Sequence, residues 1–263
     1  MPTKLEEIVA AARERVAVSK ATLRSNSLVV EHQPRGFRQN LAKIAKSGAA
    51  VIAELKKASP SKGLIRADFR VAELARELES AGAAALSVLT DERYFQGSLQ
   101  NLLAASQTTQ LPCLRKDFIV DEFQLIEARA NGADAVLLIV AALQQGELEN
   151  LARRAAQLGL DVLCEVHDRN EVQRALDAGC DLIGVNNRNL HTFQVDLNTS
   201  LELAAPMPAG VVKVAESGIE SSEDIARLRR AGYDAFLIGE SLMRAASPGK
   251  TLSELLTQAV DVR

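Results

Sequence analysis

From residue 50 onward the chain alternates short, almost wholly apolar runs with longer segments in which apolar and polar residues recur at helical spacing. The apolar runs lie near 50–55, 84–89, 111–115, 135–140, 162–166, 181–186, 211–215 and 235–239. They are rich in Val, Ile, Leu and Ala and lack the strict alternation of a half-exposed sheet, which is the pattern of strands buried on both faces. Segments such as Val71-Ala72-Glu73-Leu74-Ala75-Arg76-Glu77-Leu78 and Glu223-Asp224-Ile225-Ala226-Arg227-Leu228 stand between them and read as helices. Eight strands separated by helices predict a parallel sheet covered on its outer side.

A weaker repeat sharpens the prediction. A glycine at 82, 132, 179 and 232 closes a helix, and a strand follows within three residues. Glycine takes the left-handed conformation that ends a helix at no steric cost. Each of the four precedes an even-numbered strand, which suggests units of two strands repeated fourfold. That period favours a closed (β/α)8 barrel of the TIM type over an open doubly wound sheet. No G-x-G-x-x-G follows the first strand, so no dinucleotide cofactor is expected, and no other cofactor motif occurs.

The first 48 residues stand outside this rhythm. Thr3 followed by Glu6 forms a capping-box pattern, and Leu5, Ile8, Val9, Ala12 and Val16 recur at helical spacing over 4–20. A second, shorter helix is expected around Phe37 to Lys46. The predicted organisation is therefore a helical extension over 1–48, capping one end of a catalytic barrel over 49–263.

Composition narrows the class. Of 263 residues 47% are hydrophobic and 25% charged, and the net charge is −3, so no polyanionic partner such as nucleic acid is indicated. No apolar run has the length of a membrane span, and the N-terminus lacks the apolar core of a secretion signal, so a cytoplasmic protein is expected. Cys113, Cys164 and Cys180 lie far apart in apolar runs and read as small buried hydrophobes rather than a disulfide framework. His32, His167 and His191 make no ligand pair, and no metal is expected.

In a barrel of this kind, reactive side chains come from the C-terminal ends of the strands. Glu54 and Lys56 lie two residues apart at the end of the first strand, so both point to one face. The third strand ends in Leu114-Arg115-Lys116-Asp117-Phe118, with Lys116 on the face of Leu114. The fifth ends in Cys164-Glu165, the sixth in Asn186-Asn187-Arg188, the seventh in Glu216-Ser217-Gly218 and the eighth in Gly239-Glu240-Ser241. Solvation explains one charged strand end; the two lysines Lys56 and Lys116 and the three glutamates Glu54, Glu165 and Glu216 converging on one rim point to chemistry. The glycines after the last two strands let backbone N–H groups approach an anion, and Ser59 in the first loop adds a hydroxyl.

From about residue 50 to 245 the chain resembles the indole-3-glycerol-phosphate synthase family. The stretches that carry the resemblance are Ile52-Ala53-Glu54-Leu55-Lys56-Lys57-Ala58-Ser59-Pro60-Ser61, Leu114-Arg115-Lys116-Asp117-Phe118, Gly184-Val185-Asn186-Asn187-Arg188, Ala215-Glu216-Ser217-Gly218-Ile219 and Leu237-Ile238-Gly239-Glu240-Ser241. The resemblance implies ring closure of 1-(2-carboxyphenylamino)-1-deoxyribulose 5-phosphate to indole-3-glycerol phosphate, with loss of carbon dioxide and water. It implies Lys116 as general acid, with a pKa lowered by burial or by a second cation, and Glu165 as the partner acid/base. Lys56 then holds the substrate carboxylate and shares proton delivery, with Glu54 ordering Lys116. Asn186, Arg188 and Glu216 serve the ribulose chain and neighbouring charges. Ser59, Ser217, Gly218, Gly239 and the backbone of Glu240 hold phosphate, the Glu240 side chain turning away. Phe95, Phe118, Leu137, Leu190 and Leu237 wall the anthranilate ring, although each is otherwise an ordinary core residue. The expected partner is a small phosphorylated substrate, and the expected state is a monomer or weak homo-oligomer. A related aminoribulose-phosphate isomerase fits the two-lysine pattern poorly. A non-catalytic barrel subunit would be expected to have lost one of Lys56, Lys116 or Glu165.

Overall fold

The computed structural model describes residues 3–22, 31–190 and 192–260, so His191 lies outside the described residues. Eight strands close into a parallel barrel: β1 (Ala50–Leu55), β2 (Ala85–Leu89), β3 (Cys113–Lys116), β4 (Ala135–Ile139), β5 (Asp161–Val166), β6 (Leu182–Asn186), β7 (Val212–Glu216) and β8 (Ala235–Ile238). Each strand pairs with the next, and β8 returns to β1 with Ala50 opposite Ala235. The fold is the (β/α)8 barrel that the apolar runs predict.

The α-helices of five residues or more are α1 (Lys4–Thr22), α2 (Phe37–Ala45), α3 (Val71–Ser80), α4 (Leu99–Thr108), α5 (Glu122–Ala130), α6 (Gln145–Gln157), α7 (Arg169–Asp177), α8 (Asn198–Leu203), α9 (Ser222–Arg230), α10 (Glu240–Arg244) and α11 (Pro248–Val260). Side chains stop the loops where the helices start: Asp121, Asp168 and Ser221 accept hydrogen bonds from the backbone of the first turns of α5, α7 and α9. Gly82, Gly132, Gly179 and Gly232 all have φ between +78° and +97°. Gly159 and Gly210, ahead of the odd strands β5 and β7, are left-handed as well. The recurrence therefore marks the turn from helix to strand in general, not a two-strand unit.

Strand alternation sorts the core into two shells. Ala50, Ile52, Leu114, Leu137, Leu163, Val214 and Leu237 fill the barrel interior, whereas Val51, Ala53, Leu86, Val88, Val136 and Leu138 face the surrounding helices.

The N-terminal extension serves both ends of the barrel. The α1 capping box forms as its sequence predicts, Glu6 N–H donating to Thr3 Oγ1 and Thr3 N–H to Glu6 Oε2. Ile8, Ala12 and Val16 are buried, and Arg15 of α1 reaches the loops after β2 and β3, 2.8 Å from Asp91 and 2.7 Å from Asp117. At the opposite end Phe37 and Leu41 of α2 are fully buried in the interior cluster and close the floor. Asp134 ties the preceding segment down by accepting from the Arg35 N–H and contacting His32 Nε2.

One expectation is corrected. Cys164 and Cys180 are joined as a disulfide, with Cα atoms 6.6 Å apart, while Cys113 is free and buried. Sixteen residues separate them, but α7 runs back along β5 and returns the chain beside its own strand. That proximity is invisible in linear spacing.

Candidate active site

The parity that fills the barrel with Ile52, Leu114, Leu163 and Val214 puts Glu54, Lys116, Glu165 and Glu216 on the same inward face, two residues further along each strand. Asn186 stands opposite Glu216 in the register of β6 and β7. The barrel interior is thus apolar until its last layer, where it becomes ionic.

Lys116 is the centre of that layer. Its Nζ lies 2.8 Å from Glu216 Oε2 and 3.1 Å from Glu165 Oε2. Lys56 pairs with Glu54 on its own strand. The expected division of labour is corrected here: Glu54 bonds Lys56, and Lys116 is ordered by Glu165 and Glu216. Glu54 acts on Lys116 through its charge alone. The expected lowering of the Lys116 pKa is corrected as well. Burial would lower it, but Glu216, Glu165 and Glu54 together hold it above the ordinary lysine value.

The carboxylates divide in the opposite sense. Burial raises Glu216, reinforced by the charges of Glu165 and Glu54 against the pull of Lys116, and its carboxyl is pushed up to about 7. Its Oε1 is buried with no hydrogen-bond partner. Glu165 is buried too, yet Lys116, His167 and a hydrogen bond from Asn186 hold it below the ordinary carboxylate value. Two adjacent acids with pKa values driven apart are the arrangement that separates proton donor from proton acceptor.

Beyond β7, Ser217 and Gly218 have φ of +67° and +78°. A serine in the left-handed region costs on the order of 1–3 kcal/mol and is kept where the surroundings demand it. Gly239 opens α10, and a Cβ there would stand 2.2 Å from Glu54 Oε2, so only glycine leaves the Glu54–Lys56 pair intact. The Glu240 side chain bonds Arg244 at 3.1 Å and approaches Lys62 and Arg188 at 3.7 and 3.8 Å. Two loop cations draw it in.

These groups open onto one cavity of about 810 Å³. Every residue singled out from the sequence lines it: Glu54, Lys56, Ser59, Phe95, Lys116, Phe118, Leu137, Glu165, Asn186, Arg188, Leu190, Glu216, Ser217, Gly218, Leu237, Gly239 and Glu240. The Phe95 and Phe118 rings sit 6.3 Å apart at its apolar side. Sequence reasoning missed Lys4, Leu5 and Ile8 of α1, and Phe193 and Val195 of the loop after β6, all of which line the same cavity. The apolar stripe of α1 was a visible signal, but nothing local says which surface it covers. It also missed the buried ion network beside Lys116. There Arg115 bonds Asp117 at 3.1 Å, Glu127 at 3.3 Å and the Gln124 carbonyl at 2.7 Å.

Comparison with known proteins places this cavity in a family. Residues 4–255 match the sequence pattern of indole-3-glycerol phosphate synthase. The chain is 61% identical over 259 residues to the indole-3-glycerol phosphate synthase of Koribacter versatilis, covering 97% of this chain and 100% of that one. It is 49% identical to that of Laribacter hongkongensis, covering 97% and 96%. Solved structures show the shared fold alone. A thiamine phosphate pyrophosphorylase from Pyrococcus furiosus superposes with a TM-score of 0.62 at 18% identity, over 83% of this chain and 98% of that one. A mandelate oxidase superposes at 0.59 and 18%, over 81% and 72%. With the barrel, the ionic top layer and relatives aligned over nearly their whole length, the chain belongs to the indole-3-glycerol phosphate synthase family.

Proposed function

We propose that the cavity carries out the family's reaction with Lys116 as the proton donor to the substrate carbonyl and Glu165 as the acid/base of the dehydration. The reaction itself is a carboxy-lyase step of tryptophan biosynthesis, in which a small phosphorylated anthranilate derivative closes to indole-3-glycerol phosphate. The observation that carries the assignment is the Lys116 ammonium held between Glu165 and Glu216. A lysine held this firmly in its charged form is a weak acid toward water, but the alkoxide that forms as the ring carbon attacks is a far stronger base than any amine. The proton moves as that charge develops, and the ammonium stabilises it beforehand.

Lys56 then holds the substrate carboxylate until it departs as carbon dioxide, the electrons of the broken bond flowing into the cationic ring. Loss of the new hydroxyl as water needs a proton given to it and one taken from the ring system. Lys56, an ammonium still when the carbon dioxide has left, gives the first, and Glu165, kept ionised by its neighbours, takes the second. Ser59, Ser217, Gly218, Gly239 and the backbone of Glu240 hold the phosphate, with Arg188 and Lys62 nearby as cations. Asn186 and Glu216 serve the ribulose chain, while Phe95, Phe118, Leu137, Leu190 and Leu237 receive the aromatic ring.

In this reading residues 49–263 are the catalytic unit, and 1–48 support it from both ends. The protein acts as a monomer or weak homo-oligomer in the cytoplasm. The state is supported by how few large apolar side chains are exposed among the described residues, Val18, Leu64, Phe193 and Val195, of which the last two border the cavity. Among the described residues no helix is long and apolar enough to cross a membrane. Incubating the purified chain with 1-(2-carboxyphenylamino)-1-deoxyribulose 5-phosphate should produce indole fluorescence. A folded protein that binds inorganic phosphate but yields no indole product would end the assignment.

A further inference from the structure

His167 lies two residues beyond Glu165, at the end of β5, and strand alternation carries both side chains to one side. Its Nδ1 is 3.1 Å from Glu171 Oε2, and its Nε2 is 3.5 Å from Glu165 Oε1. The same Glu171 oxygen accepts the His167 backbone N–H at 2.7 Å, while Asp168 Oδ1 accepts the Glu171 backbone N–H at 2.8 Å at the start of α7. The ring is therefore locked from behind by a residue that is itself fixed in a helix first turn. The side chains of His167 and Glu171 are 13% exposed and that of Glu165 is 4% exposed. Nε2 is buried and makes no hydrogen bond, and it faces the Glu165 carboxylate at the ion-pair distance of 3.5 Å.

Ionised carboxylates accept and never donate, so an imidazole placed between two of them satisfies both only when each nitrogen carries hydrogen. The groups facing the ring are Glu165 of β5, Glu171 of α7 and Glu216 of β7, and the cation Lys116 of β3 faces Glu165 from the other side. Burial would favour the neutral ring, yet those three carboxylates outweigh it and favour the imidazolium. Glu165 in turn has a cation on each flank, Lys116 and His167.

We propose that His167 is a positioning residue for the reaction: clamped by Glu171 as an imidazolium, it holds the Glu165 carboxylate in place beside Lys116 and Asn186, so that turnover falls at alkaline pH when this ring loses its proton. The inference rests on Glu165 being the acid/base of the dehydration. Above the ring's pKa the neutral imidazole no longer attracts the Glu165 carboxylate, which stays ionised but loses one of the two cations that hold it in place.

The chain has three histidines, so the ring resonances of His32, His167 and His191 can be assigned by single substitution in the full-length protein and titrated by NMR. The His167 ring should titrate above the ordinary histidine value, and Glu165→Gln and Glu171→Gln should each move it down by about one pH unit. His167→Gln, which keeps a donor of similar reach without the charge, should lower kcat about tenfold with KM within twofold. It should also remove the alkaline fall in kcat that tracks the ring. A wild-type ring that titrates at the ordinary value and ignores Glu165→Gln overturns the inference without any variant having to be active, as does a His167→Gln enzyme with an unchanged kcat profile. A ring that responds to Glu165→Gln in an enzyme that still turns over at the wild-type rate overturns the assignment of Glu165, and the positioning role with it. The two failures are therefore distinguishable.

Discussion

Lys116 Nζ and Glu216 Oε2 stand 2.8 Å apart across the barrel mouth, joining two residues a hundred positions apart in the chain. Their pairing runs against the usual economy of a protein interior, because burial penalises both charges. The Lys116 side chain is 14% exposed and that of Glu216 2%, and the carboxyl responds by holding its proton up to about pH 7. A buried ionic layer of this kind is tolerated where it does chemistry.

Lys116→Met should abolish indole formation while changing substrate affinity by no more than about tenfold, roughly 1.4 kcal/mol. The thioether side chain matches the lysine stem in length and removes only the charge and the proton. Single-turnover measurement of indole fluorescence beside an equilibrium binding titration tests it. Retained turnover would move the acid to Lys56.

Glu216→Gln should alter how stability depends on pH. The folded carboxyl titrates at about 7 against an ordinary 4.5, so between those values the native state holds more protons than the unfolded chain. Stability contributed by this group therefore falls as pH rises through that window and stays lost above 7. Denaturant unfolding at pH 5 and pH 8 should show the wild type losing a few kcal/mol relative to the glutamine variant. Equal pH dependence in the two proteins would mean that Lys116 fully compensates the buried charge.

Asp117 and Arg15 should differ sharply when removed, although they bond each other at 2.7 Å. Asp117 is buried. Burial would raise its pKa, but Arg115, Arg15 and the Thr90 hydroxyl hold it below the ordinary aspartate value. Asp117→Asn leaves the buried Arg115 guanidinium without that counter-charge and should cost about 3–5 kcal/mol. Arg15→Ala removes a partly exposed partner while Arg115 still neutralises Asp117, and should cost about 1 kcal/mol. The Asp117 contribution is present above pH 3.8 and is lost as pH falls through its lower folded pKa, so the two variants should converge in strong acid. Equal losses at neutral pH would mean that α1 carries more of the network than the geometry allows.

Phe37→Ala tests the other end of the barrel. The ring is fully buried under the floor, so the cavity left should cost about 3–5 kcal/mol. The mouth lies at the opposite ends of the strands, and kcat/KM should stay within twofold at a temperature where the variant is folded. A specific loss of activity would mean that packing at the floor reaches the ionic layer.

The strand count, the closure of the barrel and the parity of every rim residue are legible in the linear pattern of residues. These follow from local rules: a run of Val, Ile and Leu is a buried strand wherever it falls, and a residue two places from Leu114 or Ile52 must share its face. The same pattern marks the left-handed glycines, the α1 capping box and the stretches that resemble the family. Which charge meets which is settled in the folded barrel. Glu54 chose Lys56 over Lys116, Cys164 met Cys180, Arg15 reached Asp117, and α1 and α2 went to opposite ends of the barrel. Spacing within a strand sets the direction of a side chain, but distances between strands depend on barrel register and on how side chains share a crowded, poorly solvated layer. There each pKa is set by the sum of all neighbouring charges, which no single segment of the chain contains.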